Sequence, residues 1–453
     1  MPNKLLALLL LLLAFSAAAD NHVHEYVLAN GFKVVVQEDH RSPVVVSQVW
    51  YRAGSIDEVN GATGVAHVLE HMMFKGTRKV PAGQFSRIVA AAGGKENAFT
   101  SRDYTVYFQQ LEKSHLELSM KLEADRMANL QLTDKEFAKE IQVVMEERRW
   151  RTDDKPQALV SEQFMSTALQ AHPYARPVIG WMNDLEHMTA ADARAWYQSW
   201  YAPNNATLVV VGDVDPRRVF KLAQKYFGQL KVRKLPARKP QIEPAQKGER
   251  RVTVKAPAKL PYLIMGYPTP KLENPETDWE PYALEILAGV LDGNAASRLN
   301  RNLVRRDRLA VDIGAGYDMI SRGPSMFVFD GTPSEGSTVS DLEIAIRGEI
   351  ESLKVDGVTE DELQRVKAQV IASDVYQRDS MFYQAMQIGQ MESTGLPWQA
   401  LDEYPKRLQA VTAEQVLTVA RKYLDDDKLT VAILDPQPMN ETVLKKKEMP
   451  HVH

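Results

Sequence analysis

Leu132-Thr133-Asp134-Lys135-Glu136-Phe137 and Val358-Thr359-Glu360-Asp361-Glu362-Leu363 are two versions of one helix start. In each, a threonine precedes a glutamate by three residues, the reciprocal cap that satisfies the free amides of a first helical turn, and an amphipathic stretch follows. The correspondence extends downstream. Thr189-Ala190 leads through a helical stretch to Trp200-Tyr201, Asn204-Asn205 and a strand from Thr207 to Val211. Thr412-Ala413 leads to Lys422-Tyr423, Asp425 to Asp427 and a strand from Leu429 to Leu434. The offsets are 226, 223 and 222 residues in a chain of 453, so the pattern predicts an internal duplication.

Working outward, the two copies occupy residues 20–230 and 252–440, with a linker at 231–251 and a tail at 441–453. Pro236, Pro240 and Pro244 stand among lysines and arginines in the linker, a composition that packs no core and has no assigned binding role. In the first copy, Tyr26 to Leu28 and Phe32 to Val36 flank Asn30-Gly31, a hairpin signal. Val44 to Tyr51 reads as a third strand. Thr63 to Phe74, Phe85 to Ala92, Leu116 to Leu130 and Thr133 to Arg151 read as helices. Strands and helices alternate without βαβ regularity. The expected fold is therefore α+β: two homologous domains, each a mostly antiparallel sheet backed by helices, enclosing a cavity.

The first nineteen residues read as a signal peptide. Lys4 provides a positive start, Leu5 to Phe15 an apolar run, and Ala17-Ala18-Ala19 the small residues of a cleavage site. The apolar stretch is short of the roughly 20 residues of a permanent span, so the chain is expected to be periplasmic or secreted, with no stable membrane span. A formal net charge of -4 gives no basic footprint for nucleic acid. The absence of cysteine excludes disulfides, thiolate metal sites and cysteine nucleophiles.

Chemistry concentrates in His67-Val68-Leu69-Glu70-His71. At about 100° per residue, the three polar side chains leave a helix within one arc of about 100°. Two neutral imidazoles on adjacent turns can grip one Zn²⁺ while the carboxylate faces its open position. This is the inverted H-x-x-E-H order. A catalytic zinc needs a third protein ligand, and the helix from Thr133 offers Glu136, Glu140, Glu146 and Glu147. Glu140 and Glu147 share a face, one able to ligate and the other to orient a ligand histidine; spacing leaves open which does which. His22, His24 and His40 read as part of a frayed amino terminus, with His451 and His453 in the tail.

The run His67 to Gly76 (HVLEHMMFKG), with Glu147 lying 76 residues after His71, resembles the pitrilysin/insulinase family of zinc metallopeptidases, in particular its mitochondrial-processing-peptidase-like branch. Asn97 to Thr105 (NAFTSRDYT) is similar to the segment that holds substrate in that family, and Glu140 to Glu147 to its second metal helix. The resemblance implies one Zn²⁺ per chain on His67, His71 and Glu147, Glu70 as general base and Glu140 behind the ligands. It also implies a substrate strand with Asn97, Ala98 and Phe99, and short or unfolded peptides as substrates.

The second half departs from the family. Single-chain active relatives carry there an Arg and, seven residues on, a Tyr that steady the tetrahedral intermediate. In the matching stretch, Leu303 to Val311, those positions hold Val304 and Val311. The expectation is a zinc-bearing subunit completed by a homologous, non-zinc chain that supplies Arg and Tyr, with a homodimer as the rival arrangement. A non-catalytic peptide-binding or assembly scaffold of the same fold is the alternative function.

Overall fold

A computed structural model describes residues 23–439. The expected signal peptide, His22, and the tail with His451 and His453 lie outside the described residues.

Six strands form the first sheet: β1 (Val23–Val27), β2 (Lys33–Glu38), β3 (Val44–Tyr51), β4 (Lys95–Thr100), β5 (Thr105–Glu112) and β6 (Ala206–Gly212). Their spatial order is β1-β2-β6-β3-β5-β4. The second sheet contains β7 (Arg250–Pro257), β8 (Tyr262–Thr269), β9 (Ala310–Tyr317), β10 (Ser325–Pro333) and β11 (Thr430–Gln437), in the order β7-β11-β8-β10-β9. With β1 removed, the two orders are the same. In both sheets the last strand of the copy returns to make the sheet's parallel pairing, β6 to β2 and β11 to β7, and every other pairing is antiparallel. The duplication expected from sequence is thus visible in topology. Asn30-Gly31 closes the β1–β2 hairpin, with Gly31 at φ 80°, where a glycine has no steric penalty.

The helices of the first half are α1 (Val65–Met72), α2 (Gln84–Ala91), α3 (Leu116–Asn129), α4 (Asp134–Arg148), α5 (Pro156–Ala168), α6 (Met182–His187), α7 (Ala190–Trp200) and α8 (Pro216–Tyr226). Those of the second are α9 (Glu280–Asp292), α10 (Val339–Asp356), α11 (Glu360–Gln377), α12 (Met381–Thr394), α13 (Ala400–Ala410) and α14 (Ala413–Tyr423). Alternation along the strands assigns the layers. Val34 and Val36 of β2 enter the core under the first half's own helices, whereas Val35 faces Ala385 and Ile388 of α12. Likewise Leu263 and Met265 of β8 enter the second core, and Ile264 meets Val160 and Phe164 of α5. Each half therefore lends one helix to cover the outer face of the other's sheet. Glycines make room for both: a Cβ on Gly389 of α12 would fall 1.9 Å from the Trp50 ring, and one on Gly266 of β8 would fall 2.4 Å from the Phe164 ring.

Two sequence expectations need correction. His24 lies in β1 and bonds Glu38, and His40 bonds Asp213, so both belong to ordered structure rather than a frayed end. The linker is more than a solvated spacer. Arg238 bonds Asp57 and the Arg52 carbonyl, Glu243 accepts the amides of Gln170, Ala171 and His172, and Arg250 already begins β7. Both pinned residues hold charges whose partners lie far away in sequence, which composition does not reveal.

Candidate metal centre

Helix α1 is short and anchored at its amino-terminal end. Gly64 caps it at φ 86°, and its Cα lies against Gly180, where a Cβ would strike the Ile179 carbonyl at 2.5 Å. The buried Glu58 carboxyl accepts the amides of Gly64 and Ala66, both at 2.9 Å, at the positive end of the helix. Asp184 accepts from Thr63 through both its amide and its hydroxyl. Val65, Ala66, Val68, Leu69 and Met72 pack into the first core. The remaining face presents His67, Glu70 and His71.

Helix α4 starts where its capping Thr133 accepts the Glu136 amide, and buries Phe137, Ile141, Val144 and Met145. Seven-residue spacing then turns Glu140 and Glu147 toward α1. Nε2 of His67 lies 3.7 Å and Nε2 of His71 3.3 Å from the same oxygen, Oε2 of Glu147. One ligand atom from each of the three residues lies within 4.8 Å of the others. Glu140 Oε2 sits 3.4 Å from Nδ1 of His71, which leaves Nε2 toward the cluster, and Lys75 pairs with the other Glu140 oxygen. Two imidazole nitrogens and one carboxylate oxygen, with a carboxylate behind one imidazole, suit a zinc ion. His67 is buried, while His71 and Glu147 stay partly accessible.

Among the side chains themselves, electrostatics favour the ligating forms of His67 and Glu147 but the protonated form of His71. Burial, with the neighbouring His71, holds the His67 imidazole down at about 4, so it is neutral at pH 7. The hydrogen bond from His71 lowers the Glu147 carboxyl to about 2. Burial pushes Glu70 up, against the hydrogen bond from Thr100. His71 is pulled down by burial, but the bond to Glu147 and the charges of Glu70, Glu147 and Glu140 carry it above its ordinary value.

Asn97, Ala98 and Phe99 lie on β4, which pairs with β5 alone and is the sheet's edge. Sequence reasoning overlooked three neighbours: Thr100, whose hydroxyl donates to Glu70 Oε2 at 2.6 Å, Lys75 on Glu140, and Arg151, which donates to Glu147 Oε1 at 2.6 Å. Thr100 stands inside the quoted NAFTSRDYT segment, but no spacing rule ties it to a glutamate thirty residues earlier. A cleft of about 1270 Å³ between the halves is lined by Arg52, Asp57, Trp200, Arg238, Trp279 and Arg322 among others, and none of the three clustered residues borders it.

The second half has no such set at the corresponding place. Counting from the matching caps, Thr133 and Thr359, Glu140 falls on Val366 and Glu147 on Ser373. Gly289 of α9 lies against Val366, much as His71 lies against Glu140. Val304 packs partly buried on the second core, and Val311 is exposed on β9.

An inverted H-x-x-E-H helix packed on a glutamate helix beside an open sheet edge is the arrangement of a metallopeptidase-type centre. Residues 33–181 match the family profile described as insulinase (peptidase family M16), and residues 187–370 match the one described as the peptidase M16 inactive domain. The chain is 33% identical over 442 residues to the zinc protease PqqE of Helicobacter pylori, covering 95% of this chain and 97% of that one. It is 26% identical over 415 residues to the uncharacterized zinc protease YmxG of Bacillus subtilis, covering 91% and 98%. The crystal structure of a protease from Helicobacter pylori superposes with a TM-score of 0.86 at 32% identity, covering 91% of this chain and 99% of that one. The periplasmic protease PqqL of Escherichia coli shares the fold at a TM-score of 0.78 and 20% identity, with this chain spanning 49% of its length. The chain belongs to the insulinase family, peptidase family M16. Its second half matches the domain described as inactive, in keeping with Val366 and Ser373 at the carboxylate positions.

Proposed function

We propose that this protein is a zinc-dependent endopeptidase acting on short or unfolded peptides, with His67, His71 and Glu147 as ligands of one Zn²⁺. The observation that carries this reading is the convergence of those three side chains beside Glu70. Held by His67, His71 and Glu147, zinc would supply Lewis-acid chemistry for polarising the scissile carbonyl and acidifying a water. Glu70 takes the proton of the attacking water and returns it to the leaving amine. Asn97, Ala98 and Phe99 bind the peptide as an added strand on β4, through main-chain hydrogen bonds. Glu140 fixes the tautomer of His71.

The chain serves as the zinc-bearing subunit of a two-subunit peptidase. Val304 and Val311 can neither donate to an oxyanion nor hold a peptide carbonyl, and losing one such donor typically costs about 10²–10³ in rate. A homologous chain bearing Arg and Tyr completes the site. The amino-terminal apolar segment and the periplasmic location of the PqqL protease that shares the fold support a periplasmic setting. Glu70→Gln, assayed for peptide hydrolysis and zinc content, tests the enzymatic reading: metal retained with hydrolysis lost supports it, and unchanged hydrolysis overturns it. Full peptidase activity of the purified chain alone would remove the partner.

A further inference from the structure

We infer that Thr100 is a positioning residue that aims Glu70, a reading that rests on the proposed role of Glu70 as general base. Glu70 Oε2 accepts the Thr100 hydroxyl at 2.6 Å, and this is the carboxylate's one hydrogen bond among the described residues. With Oε2 engaged, Oε1 is the oxygen left to meet a water proton. A carboxylate on a flexible side chain needs such an anchor, because a small misplacement of a reacting group carries a large rate penalty.

The anchor is itself rigid. Thr100 is β-branched, so its χ1 is restricted, and it ends β4 opposite Thr105 at the tight connection to β5. Alternation along a strand puts Thr100 on the same face as Ala98. The strand whose free edge is proposed to receive the peptide is therefore the strand that holds the base. Any shift of β4 that changes the peptide's seat moves the Thr100 hydroxyl with it, so substrate placement and base orientation share one element. The second half supports the distinction between this device and a general feature of the fold: β9, the counterpart edge, faces α9, which has Ala288 and Gly289 rather than a base and a ligand histidine.

Thr100→Val removes the hydroxyl at nearly constant volume, and Thr100→Ser keeps the hydroxyl while losing the methyl. Zinc content, kcat and KM are measured for both beside wild type and Glu70→Gln, each purified from the native host together with any bound partner chain, and crystal structures are determined of the zinc-loaded wild type and Thr100→Val. The expected result is full zinc occupancy in both variants and a fall in kcat of roughly tenfold or more for Thr100→Val, with KM little changed. Thr100→Ser stays close to wild type, and the Glu70 carboxylate is fixed in the wild-type crystal but displaced or split in Thr100→Val. An unmoved Glu70 in Thr100→Val, or equal impairment of the Ser and Val variants, would overturn the inference. If wild type hydrolyses no faster than Glu70→Gln, the peptidase reading fails on its own, and the Glu70 orientation in the two crystals still decides the role of Thr100.

Discussion

Glu140 does its work through one nitrogen of His71. By engaging Nδ1 it leaves Nε2 directed at the Glu147 oxygen, and Lys75 holds the second Glu140 oxygen in place. Outer partners of this kind typically contribute 10–100-fold to metal affinity. Glu140→Gln is therefore expected to weaken zinc binding by about that factor while leaving the fold intact, measured by competition with a chromophoric chelator. On the proposed reading, substitution of His67, His71 or Glu147 removes a zinc ligand outright. Glu70→Gln separates from all of these, because Glu70 stands beside the ligand set rather than in it and its loss is expected to stop hydrolysis with zinc still bound. The chemistry of the site is thus divided among residues whose failures have different signatures.

At the scale of elements, the two exchanged helices, α5 and α12, join the halves more intimately than a linker could. Gly389 lets α12 approach β3 until the Trp50 ring fills the space a side chain would occupy. Gly389→Ala sets two effects against each other. Helix propensity favours alanine by about 1 kcal/mol. Forcing a methyl against a packed indole typically costs about 1–3 kcal/mol, and at 1.9 Å the contact lies beyond anything a small adjustment can relieve. Net destabilisation is expected, seen as a lowered midpoint in thermal or urea unfolding. A rise in stability would show that α12 can withdraw without disturbing β3.

Across the whole molecule, a buried ion pair ties one half to the other. Arg322 of the second half donates to both oxygens of Asp57 in the first, at 2.8 and 2.9 Å, and Arg238 of the linker adds a third bond at 2.8 Å. The Arg322 amide and guanidinium also reach Asp103, which accepts the Tyr174 hydroxyl. Burial alone pushes the Asp57 carboxyl up, but the Arg322 bonds and the two guanidinium charges hold it below its ordinary 3.8. Its contribution is therefore present above about pH 4 and lost as pH falls through the folded value. Arg322→Met leaves the buried Asp57 carboxylate with Arg238 as its one guanidinium partner and is expected to cost up to about 3 kcal/mol at pH 7. The deficit relative to wild type should narrow as pH falls toward the wild-type folded value, because the carboxyl deprived of Arg322 takes its proton at a higher pH than the wild-type one and is relieved first. Denaturant unfolding of both proteins as the pH is lowered checks the sign.

Local chemistry made the duplication, the α+β class and the H-x-x-E-H helix readable from the chain. Caps such as Thr133 and Thr359, the Asn30-Gly31 turn and the 3.6-residue spacing of His67, Glu70 and His71 act over a few neighbouring residues and carry their meaning in sequence. The resemblance to the insulinase family chose Glu147 over its neighbours as the third ligand, and folding brought it 3.3 Å from His71 across a packed helix pair. Thr100 on Glu70, Lys75 on Glu140, the exchange of α5 and α12, and the Asp57–Arg322 pair could be settled only in three dimensions. Each joins residues from separate elements, at distances fixed by how sheets and helices pack, and a one-dimensional pattern contains no term for that.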